Sequence, residues 1–161
     1  MAAFEDDLLG LLPRLRRFAR ALARDAADAD DLCQVTVEKA LLARAQWQAG
    51  TRMDSWMYRI MRNSWIDTTR ARSRAAQTFV AEAAGLGVGS DGGGEARVAL
   101  GEIDRAMQAL PDEQREAVAL VLVEGLAYKE AAAVLDIPMG TLTSRLVRGR
   151  QALMAHLGEA A

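Results

Sequence analysis

The chain has 161 residues, of which 51% are apolar and 5% aromatic, and its formal charge at pH 7 is −2. This length and apolar content suit one ordinary domain or two small ones, and a core built from Ala, Leu, Val and Met favours helices over sheets. A net-acidic chain is not expected to coat nucleic acid indiscriminately, and a single cysteine with a single histidine excludes a Cys/His metal site within one chain.

Apolar spacing predicts helices through residues 1–76, which we treat as the first of two small domains. Pro13 interrupts the pattern, and because proline is favoured in the first turn of a helix, we predict a helix start there. The buried stripe of this helix is predicted at Leu15, Phe18, Ala19 and Leu22. A further helix is predicted over residues 28–44, with three aspartates at its positive N-terminal end.

Residues 45–54, AQWQAGTRMD, contain a glycine and show no clear period, so we predict a loop followed by a helix that Asp54 or Ser55 caps. This helix is basic: residues 52–74 hold six arginines against two aspartates, which indicates a surface that faces anions. Trp56 and Tyr58 are predicted to pack in the core rather than stack on bases, and Trp65 is left open between the two roles.

A change of composition separates the two halves of the chain. Residues 81–96 hold six glycines and no proline, and we predict a flexible linker over residues 77–96, because glycine weakens helix and strand alike. Residues 97–161 form the second predicted domain. Its first helix has an apolar stripe that we expect to be buried: Val98, Leu100, Ile103, Met107 and Leu110. Pro111 marks the next helix start, and Gly125 marks the end of that helix.

Residues 126–157, LAYKEAAAVLDIPMGTLTSRLVRGRQALMAHL, carry the most specific pattern. A short helix over residues 128–135, the tight turn DIPMG and a second helix from about Pro138 describe a helix-turn-helix, whose second helix enters a DNA major groove. The inward positions are predicted at Leu142, Leu146, Leu153 and Leu157, with Gly149 or Arg150 completing the period. The outward positions are Thr141, Thr143, Ser144, Val147 and Arg148. The alternative is a helical hairpin with a solvated arginine face.

Two motifs resemble a known family. YKEAAAVLDIPMGTLTSRLVRGRQAL resembles the promoter-reading helix-turn-helix of small bacterial sigma factors, whose usual form is eIAexLgxpxGTVxSRLxRAR. The sequence departs at Ala132, Leu142 and Gly149, and Gly149 is expected to weaken its helix by about 1 kcal/mol relative to alanine. In the first half, DADDLCQVTVEKAL resembles DAEDLvQetflkal, and SWMYRIMRNSWIDTTRARSR resembles aWLyrIarNxaiDxxRrxrr. The order of these motifs is that of the two-domain extracytoplasmic-function (ECF) group, including its general-stress members.

The resemblance implies an all-α protein: a region 2-like helical bundle and a region 4-like helix-turn-helix. It also implies three partners: core RNA polymerase, held at the β′ clamp and the β flap, promoter DNA and an anti-sigma factor. The residues matched to clamp docking are Asp30, Asp31, Gln34 and Glu38. Those matched to the −10 element are Trp47, Gln48, Gly50, Thr51, Arg59, Arg62, Asn63, Asp67 and Arg70, the first four in a loop that holds a flipped base in the family. Those matched to the −35 element are Thr141, Thr143, Ser144, Val147, Arg148 and Lys129, and Glu130 is expected to pair with Arg145 as a brace.

Three alternatives remain beside a sigma factor. A sigma-like protein that titrates an anti-sigma factor carries a receiver domain in this family, for which we expect no room after Ala161. A dimeric helix-turn-helix repressor leaves the clamp-like helix and the basic helix without a role. An enzyme is least supported, since we find no phosphate-binding loop, no nucleophile with a base and no metal set, so we expect no cofactor and no small-molecule substrate.

The expected location is the cytoplasm. The N-terminus, MAAFEDDLLGLL, has carboxylates where a signal peptide needs basic residues, and no apolar run approaches the ~20 residues that span a bilayer. Cys33 is alone, so there is no disulfide framework, and we treat it as a small buried hydrophobe.

Overall fold

The computed structural model describes residues 2–48, 50–79 and 101–160, and these residues are helical almost throughout. Within these ranges the α-helices are α1 (Ala2–Ala23), α2 (Ala26–Leu42), α3 (Met53–Phe79), α4 (Gly101–Ala109), α5 (Asp112–Val118), α6 (Tyr128–Leu135) and α7 (Met139–Ala160). A 3₁₀ turn at Arg44–Gln46 follows α2, and a π-helical turn at Ala119–Val123 continues α5. The all-α prediction is confirmed, since no described residue lies in a strand.

The predicted linker falls mostly outside the described residues. Helix α3 ends at Phe79, so residues 77–79 are helical, while residues 80–96 and the predicted stripe positions Val98 and Leu100 are not described. The domain boundaries therefore stay a prediction. Among the described residues, no helix combines the length and the apolar content needed to cross a membrane.

Helix α1 runs through Pro13, so the predicted helix start at this residue is wrong. Proline lacks a backbone N–H and normally costs a helix interior about 3 kcal/mol. The helix continues because its apolar stripe is unbroken on both sides of the proline: Leu8, Leu15, Phe18 and Leu22 are at most 6% exposed, whereas Pro13 itself faces solvent. Packing of the stripe against the rest of the bundle overrides the local signal.

Two helix starts also differ from the prediction. Helix α2 begins after Asp25, whose Oδ2 accepts a hydrogen bond of 3.0 Å from the backbone N–H of Asp28, so Asp25 is the N-cap. Helix α3 begins ahead of both predicted caps, Asp54 and Ser55. Asp54 is instead an acceptor within the first turn, where the guanidinium of Arg52 donates to it over 2.8 Å.

The first three helices pack on one another around a largely apolar interior. Met57, Tyr58 and Met61 of α3 are fully buried, and the ring of Tyr58 meets that of Phe18 edge-on at a centroid distance of 5.2 Å. Trp56 is half-buried against the same core. The predicted packing of Trp56 and Tyr58 is therefore confirmed.

Helices α4 to α7 form the second packed unit, in which α6 and α7 are the predicted helix-turn-helix. Asp136, with φ of 54°, ends α6 in the left-handed conformation and starts the tight turn. Leu142 and Leu146 are buried, and Gly149, not Arg150, completes the inward stripe of α7.

The packing of α4 corrects one further prediction. Ile103 is 63% exposed, because the inward side of α4 is formed by the smaller Gly101 and Ala106, with Leu110 beyond the helix end. The start of α5 after Pro111 and the helix end near Gly125, whose φ is 76°, are as predicted.

Gly149 lets α7 lie close to α5. A methyl group at this position would stand 2.7 Å from Cγ2 of Val118, which is closer than carbon atoms pack, and 3.4 Å from Cβ of Gln114, which is ordinary contact. The expected weakening of the helix relative to alanine stays a prediction, and the structure adds that the missing side chain is what permits this contact.

The two halves of the chain are joined by a continuous core. Their buried apolar side chains form one cluster that extends from Leu8 in α1 to Leu146 in α7. Helix α1 packs against α5 and the π-helical turn, and α3 packs against α6. We call this contact between the first half (residues 2–79) and the second half (residues 101–160) the junction.

Candidate polymerase and nucleic-acid interfaces

The residues matched to polymerase docking lie on an exposed acidic face of α2. All four face solvent: Asp30, Asp31, Gln34 and Glu38. Val35, between them, is 38% exposed and adds an apolar element to the face. On the opposite side Leu32, Cys33 and Thr36 are buried, and burial raises the pKa of the Cys33 thiol, as expected for a packing residue.

The predicted −10 loop lies between the 3₁₀ turn and α3. The backbone N–H and the hydroxyl of Thr51 both donate to the carbonyl of Gln48, over 3.1 and 2.7 Å, and Gly50 takes a φ of 93° that glycine tolerates. Trp47 is half-buried against Trp56, with ring centroids 5.3 Å apart. This loop forms one wall of a cavity of about 630 Å³, and the other wall is the N-terminal part of α1, including Phe4, Asp7 and Leu11.

The predicted −10 residues of α3 divide into two groups. Asn63, Asp67 and Arg70 are exposed, and they line a groove of about 460 Å³ at the edge of the junction. Arg59 and Arg62 instead reach the second half, where Nη2 of Arg59 donates to the carbonyl of Ala133 over 2.9 Å. The structure therefore does not bring all five residues to one free surface.

Arg62 pairs with Glu116 of α5 through two parallel hydrogen bonds, from Nε over 3.1 Å and from Nη2 over 3.2 Å. Its Nη1 donates to the carbonyl of Leu135 at the end of α6 over 3.0 Å. The two side chains are only 17% and 10% exposed. Burial raises the pKa of Glu116, and the hydrogen bonds from Arg62 oppose that rise.

Glu124, which caps the π-helical turn, gathers three donors from the first half. Arg14 donates from Nε over 3.3 Å, Arg17 donates from Nε and Nη2 over 3.0 and 3.1 Å, and the hydroxyl of Tyr58 donates over 2.9 Å. The Glu124 side chain is 1% exposed. Burial, together with the Glu124 carboxylate, raises the pKa of the Tyr58 phenol, so the hydroxyl remains a donor.

Arg115 of α5 crosses the junction in the other direction. Its side chain is 1% exposed, and its guanidinium donates to the carbonyls of Ala21 and Leu22 in α1 as well as to that of Leu110. Asp112 accepts a fourth hydrogen bond over 2.6 Å. Burial lowers the pKa of Arg115, against the effect of Asp112.

The predicted pair between Glu130 and Arg145 is wrong. Glu130 accepts hydrogen bonds of 3.0 Å from Arg52 and from the hydroxyl of Ser55, both in the first half. Arg145 lies 3.8 Å from Glu113 of α5 instead. Glu130 thus braces the junction rather than the helix-turn-helix.

The outward face of α7 is available to solvent. Thr143, Ser144, Val147 and Arg148 are exposed, Thr141 is half-buried, and Lys129 is exposed on α6. The hydroxyl of Thr143 donates to the carbonyl of Met139, so its methyl group is the free part of the side chain. Arg148 has no ion pair among the described residues.

Sequence reasoning missed the junction and its acceptors. Nothing in the sequence pattern singled out Arg14, Arg17 or Glu116. The one available signal was Glu124, a carboxylate inside the apolar run ALVLVEGL, residues 119–126. A charge in such a run is rarely buried without a partner.

A helix-turn-helix with a free polar face, beside a second helical unit with an exposed acidic face, is typical of a transcription protein. Residues 100–153 match the family described as Sigma-70, region 4, and residues 8–62 match the Sigma2 domain of PhyR. The chain is 36% identical over 155 residues to the ECF RNA polymerase sigma factor EcfG of Rhodopseudomonas palustris. The aligned region covers 96% of this chain and 85% of that protein. It is 37% identical over 142 residues to the ECF RNA polymerase sigma factor SigC of Mycobacterium tuberculosis, and this alignment covers 86% of this chain and 75% of SigC.

Solved structures agree. The sigma factor RpoE of Bartonella quintana, in complex with the anti-sigma factor NepR, superposes with a TM-score of 0.83 at 30% identity over 98% of both chains. CnrH, in complex with the cytosolic domain of CnrY, shares the fold with a TM-score of 0.73 at 24% identity, over 99% of this chain and 90% of that one. The chain belongs to the ECF RNA polymerase sigma factors. It is a subunit that binds core RNA polymerase and directs promoter recognition and transcription initiation, as the sequence predicted.

Proposed function

We propose that this sigma factor divides its work among three surfaces. The acidic face of α2 docks on the clamp of the β′ subunit, the loop before α3 and the outer residues of α3 bind the −10 element, and α7 binds the −35 element while the second half contacts the β flap. The observation that carries this proposal is the exposure, on separate helices, of most residues in the three sets. The protein acts in the cytoplasm, where its polymerase works.

The −10 proposal rests on the cavity beside the loop. A flipped base needs an apolar or aromatic wall and polar groups that can hydrogen-bond its edge. Trp47 and Leu11 offer the first, and Thr51 and Asp7 the second. Gly50 leaves room at the rim, since nothing lies within 4 Å of where its side chain would start.

The −35 proposal rests on the outward face of α7. Short side chains at Thr143 and Ser144 allow the helix to approach base edges closely, and Val147, which is 50% exposed, can contact a thymine methyl group. Arg148 is the long donor of this face and can pair with guanine or with phosphate. Lys129 on α6 lies where the first helix of such a motif crosses the DNA backbone.

An anti-sigma factor is the further partner that we propose. The whole chain, including the way its halves close on each other, resembles RpoE as it is found with NepR. An inhibitor that binds both halves at once would hold the polymerase-binding and DNA-binding surfaces in this closed arrangement. The inducing signal is then whatever removes that inhibitor.

A sigma-like protein that titrates an anti-sigma factor is the second candidate, because residues 8–62 match the Sigma2 domain of PhyR. The two candidates differ in one respect. A sigma factor directs transcription when added to core polymerase, whereas a titrating protein only relieves inhibition of another sigma factor.

In-vitro transcription with core polymerase over a promoter library tests the proposal. We expect promoter-specific transcripts only with this chain added. Glu38→Gln together with Asp31→Asn should lower polymerase binding without changing promoter preference. Glu5→Gln with Asp6→Asn, the same charge change at exposed positions of α1, should leave polymerase binding intact. If the chain directs no transcription but still relieves the inhibition of another sigma factor by an anti-sigma factor, the protein is the titrating one.

A further inference from the structure

The junction uses arginines that the −10 element would need. Resting on the proposed function, we propose that the free chain is autoinhibited: Glu116, Glu124 and the C-terminal carbonyls of α6 bind the arginines of the first half and hold the second half over the −10 surface of α3. All of these contacts join the two halves of one chain. An anti-sigma factor would then reinforce a closed state that the chain forms by itself.

Arg62 cannot bind Glu116 and a phosphate at the same time. Its Nε and Nη2 donate to Glu116, and Nη1 donates to the carbonyl of Leu135. A phosphate requires the same N–H groups, so the two partners exclude each other. Arg59 is held similarly at the carbonyl of Ala133, and the last carbonyls of α6 carry the partial negative charge of a helix C-terminus. The second half therefore occupies the sites where phosphates would bind.

The second half also forms one wall of the groove that contains Asn63, Asp67 and Arg70. The charged residues of that wall are Glu113, Asp136 and Arg145, of which Glu113 and Arg145 lie 3.8 Å apart. A strand bound at Asn63 would have to share this groove with the second half. Closure therefore restricts the access of DNA even at residues that make no junction contact.

Glu124 provides the strength of the closed state. Arg14, Arg17 and Tyr58, from two helices of the first half, all converge on this one carboxylate, which is almost completely buried. The carboxylate accepts four hydrogen bonds in the closed state, and it exchanges all of them for water when the halves separate. Opening requires breaking these bonds together, which makes the contact a two-state latch.

Distances between spin labels on the two halves test the proposal in the isolated chain. In a Cys33→Ala background, labels are attached through Ala27→Cys on α2 and Gln151→Cys on α7, both exposed positions. The latch variant is Glu124→Gln, which changes the carboxylate that binds Arg14, Arg17 and Tyr58. The control is Glu113→Gln, the same change on α5 at a residue whose ion-pair partner, Arg145, is in its own half.

We expect one narrow, short distance for the parent chain and for Glu113→Gln, and an added longer, broader population for the latch variant. The latch variant should also bind an oligothymidylate of about 20 nucleotides about tenfold more tightly, since Arg59 and Arg62 are released for phosphates. A broad distance distribution in the parent chain, or an unchanged one in a folded latch variant, overturns the proposal.

Arg17→Gln keeps the proposal testable if the Glu124→Gln variant does not fold. Arg17 is half-exposed and donates to Glu124 from the other side of the same contact, so its loss should produce the longer population to a smaller extent. Because the distance and binding measurements are made without polymerase, their outcome does not depend on whether the chain directs transcription. A closed parent chain that opens as expected, yet directs no transcription, overturns the proposed function and leaves the latch.

Discussion

Arginines have opposite environments at the junction and on the outer face of α7. At the junction, Arg62 and Arg115 are largely buried, and every part of the guanidinium finds a carboxylate or a carbonyl. On α7, Arg148 is exposed and has no ion pair among the described residues. A buried charge is tolerated only when it is paired, whereas an exposed one costs little and is free to bind DNA. Location, more than residue type, decides which arginines stabilise the chain and which can read a promoter.

The largest effect is expected at Arg115. Arg115→Met should lower the free energy of unfolding by about 3–5 kcal/mol, because it leaves the carbonyls of Ala21, Leu22 and Leu110 without their shared donor. Urea denaturation followed by circular dichroism measures the change. The control is Arg20→Met, at an exposed position of α1, which should stay within about 0.5 kcal/mol of the parent chain. Equal losses for both variants would show that the junction contributes nothing special.

Gly149 tests the packing behind the recognition surface. Gly149→Ala should destabilise the chain by about 1–2 kcal/mol, because the clash with Val118 outweighs the helix propensity that alanine adds. The matched change is Gly10→Ala in α1, where nothing lies within 4 Å of the new side chain and a gain of about 0.5–1 kcal/mol is expected. Thermal unfolding of both variants measures the two changes. A higher stability of Gly149→Ala would mean that α5 shifts away from α7 at no cost in free energy.

Much of the fold was predictable because its signals are local. The helix-turn-helix was predicted from apolar spacing and the DIPMG turn, and the buried stripe of α1 from its period. The helix start at Pro13 was predicted wrongly because packing elsewhere on α1 outweighs a local penalty. The close contact of α5 with Gly149 was not predicted, because helix propensity does not depend on what a helix packs against. The junction was not predictable, since Glu124 meets Arg14 and Arg17 across more than 100 positions of sequence. Pairings of that kind appear only when the halves are placed together.

Arg148, the exposed arginine of α7, should affect promoter choice and not stability. Arg148→Ala should weaken −35-dependent transcription by about 1–3 kcal/mol if the side chain pairs with guanine, with no change in the free energy of unfolding. Arg150→Ala, two positions along the same helix and also exposed, is the control and should retain promoter preference. Competition between promoters with altered −35 bases measures the effect. If Arg148→Ala and Arg150→Ala behave alike, Arg148 does not read a base.

The smallest expected effect is a difference in pH dependence between two buried carboxyls, Asp54 in the first half and Glu116 at the junction. Burial opposes the ionisation of Asp54, but hydrogen bonds from Arg52 and from the backbone N–H of Ser55 outweigh it, so its pKa lies below the usual value. The pKa of Glu116 lies above the usual value because burial outweighs Arg62. The two groups therefore act on stability in opposite directions.

The sign follows from which state binds protons more tightly. Asp54 contributes stability above its unfolded pKa of about 3.9, and this is lost as the pH falls through the lower folded value. Glu116 contributes stability that is fully present below its unfolded pKa of about 4.3 and is lost as the pH rises through the higher folded value. Unfolding free energies measured from about pH 3 to pH 7 should thus lose part of their acid dependence in Asp54→Asn and part of their decline at higher pH in Glu116→Gln. A Glu116→Gln variant with the pH profile of the parent chain would show that Arg62 keeps this carboxylate as easily ionised in the junction as it is in water.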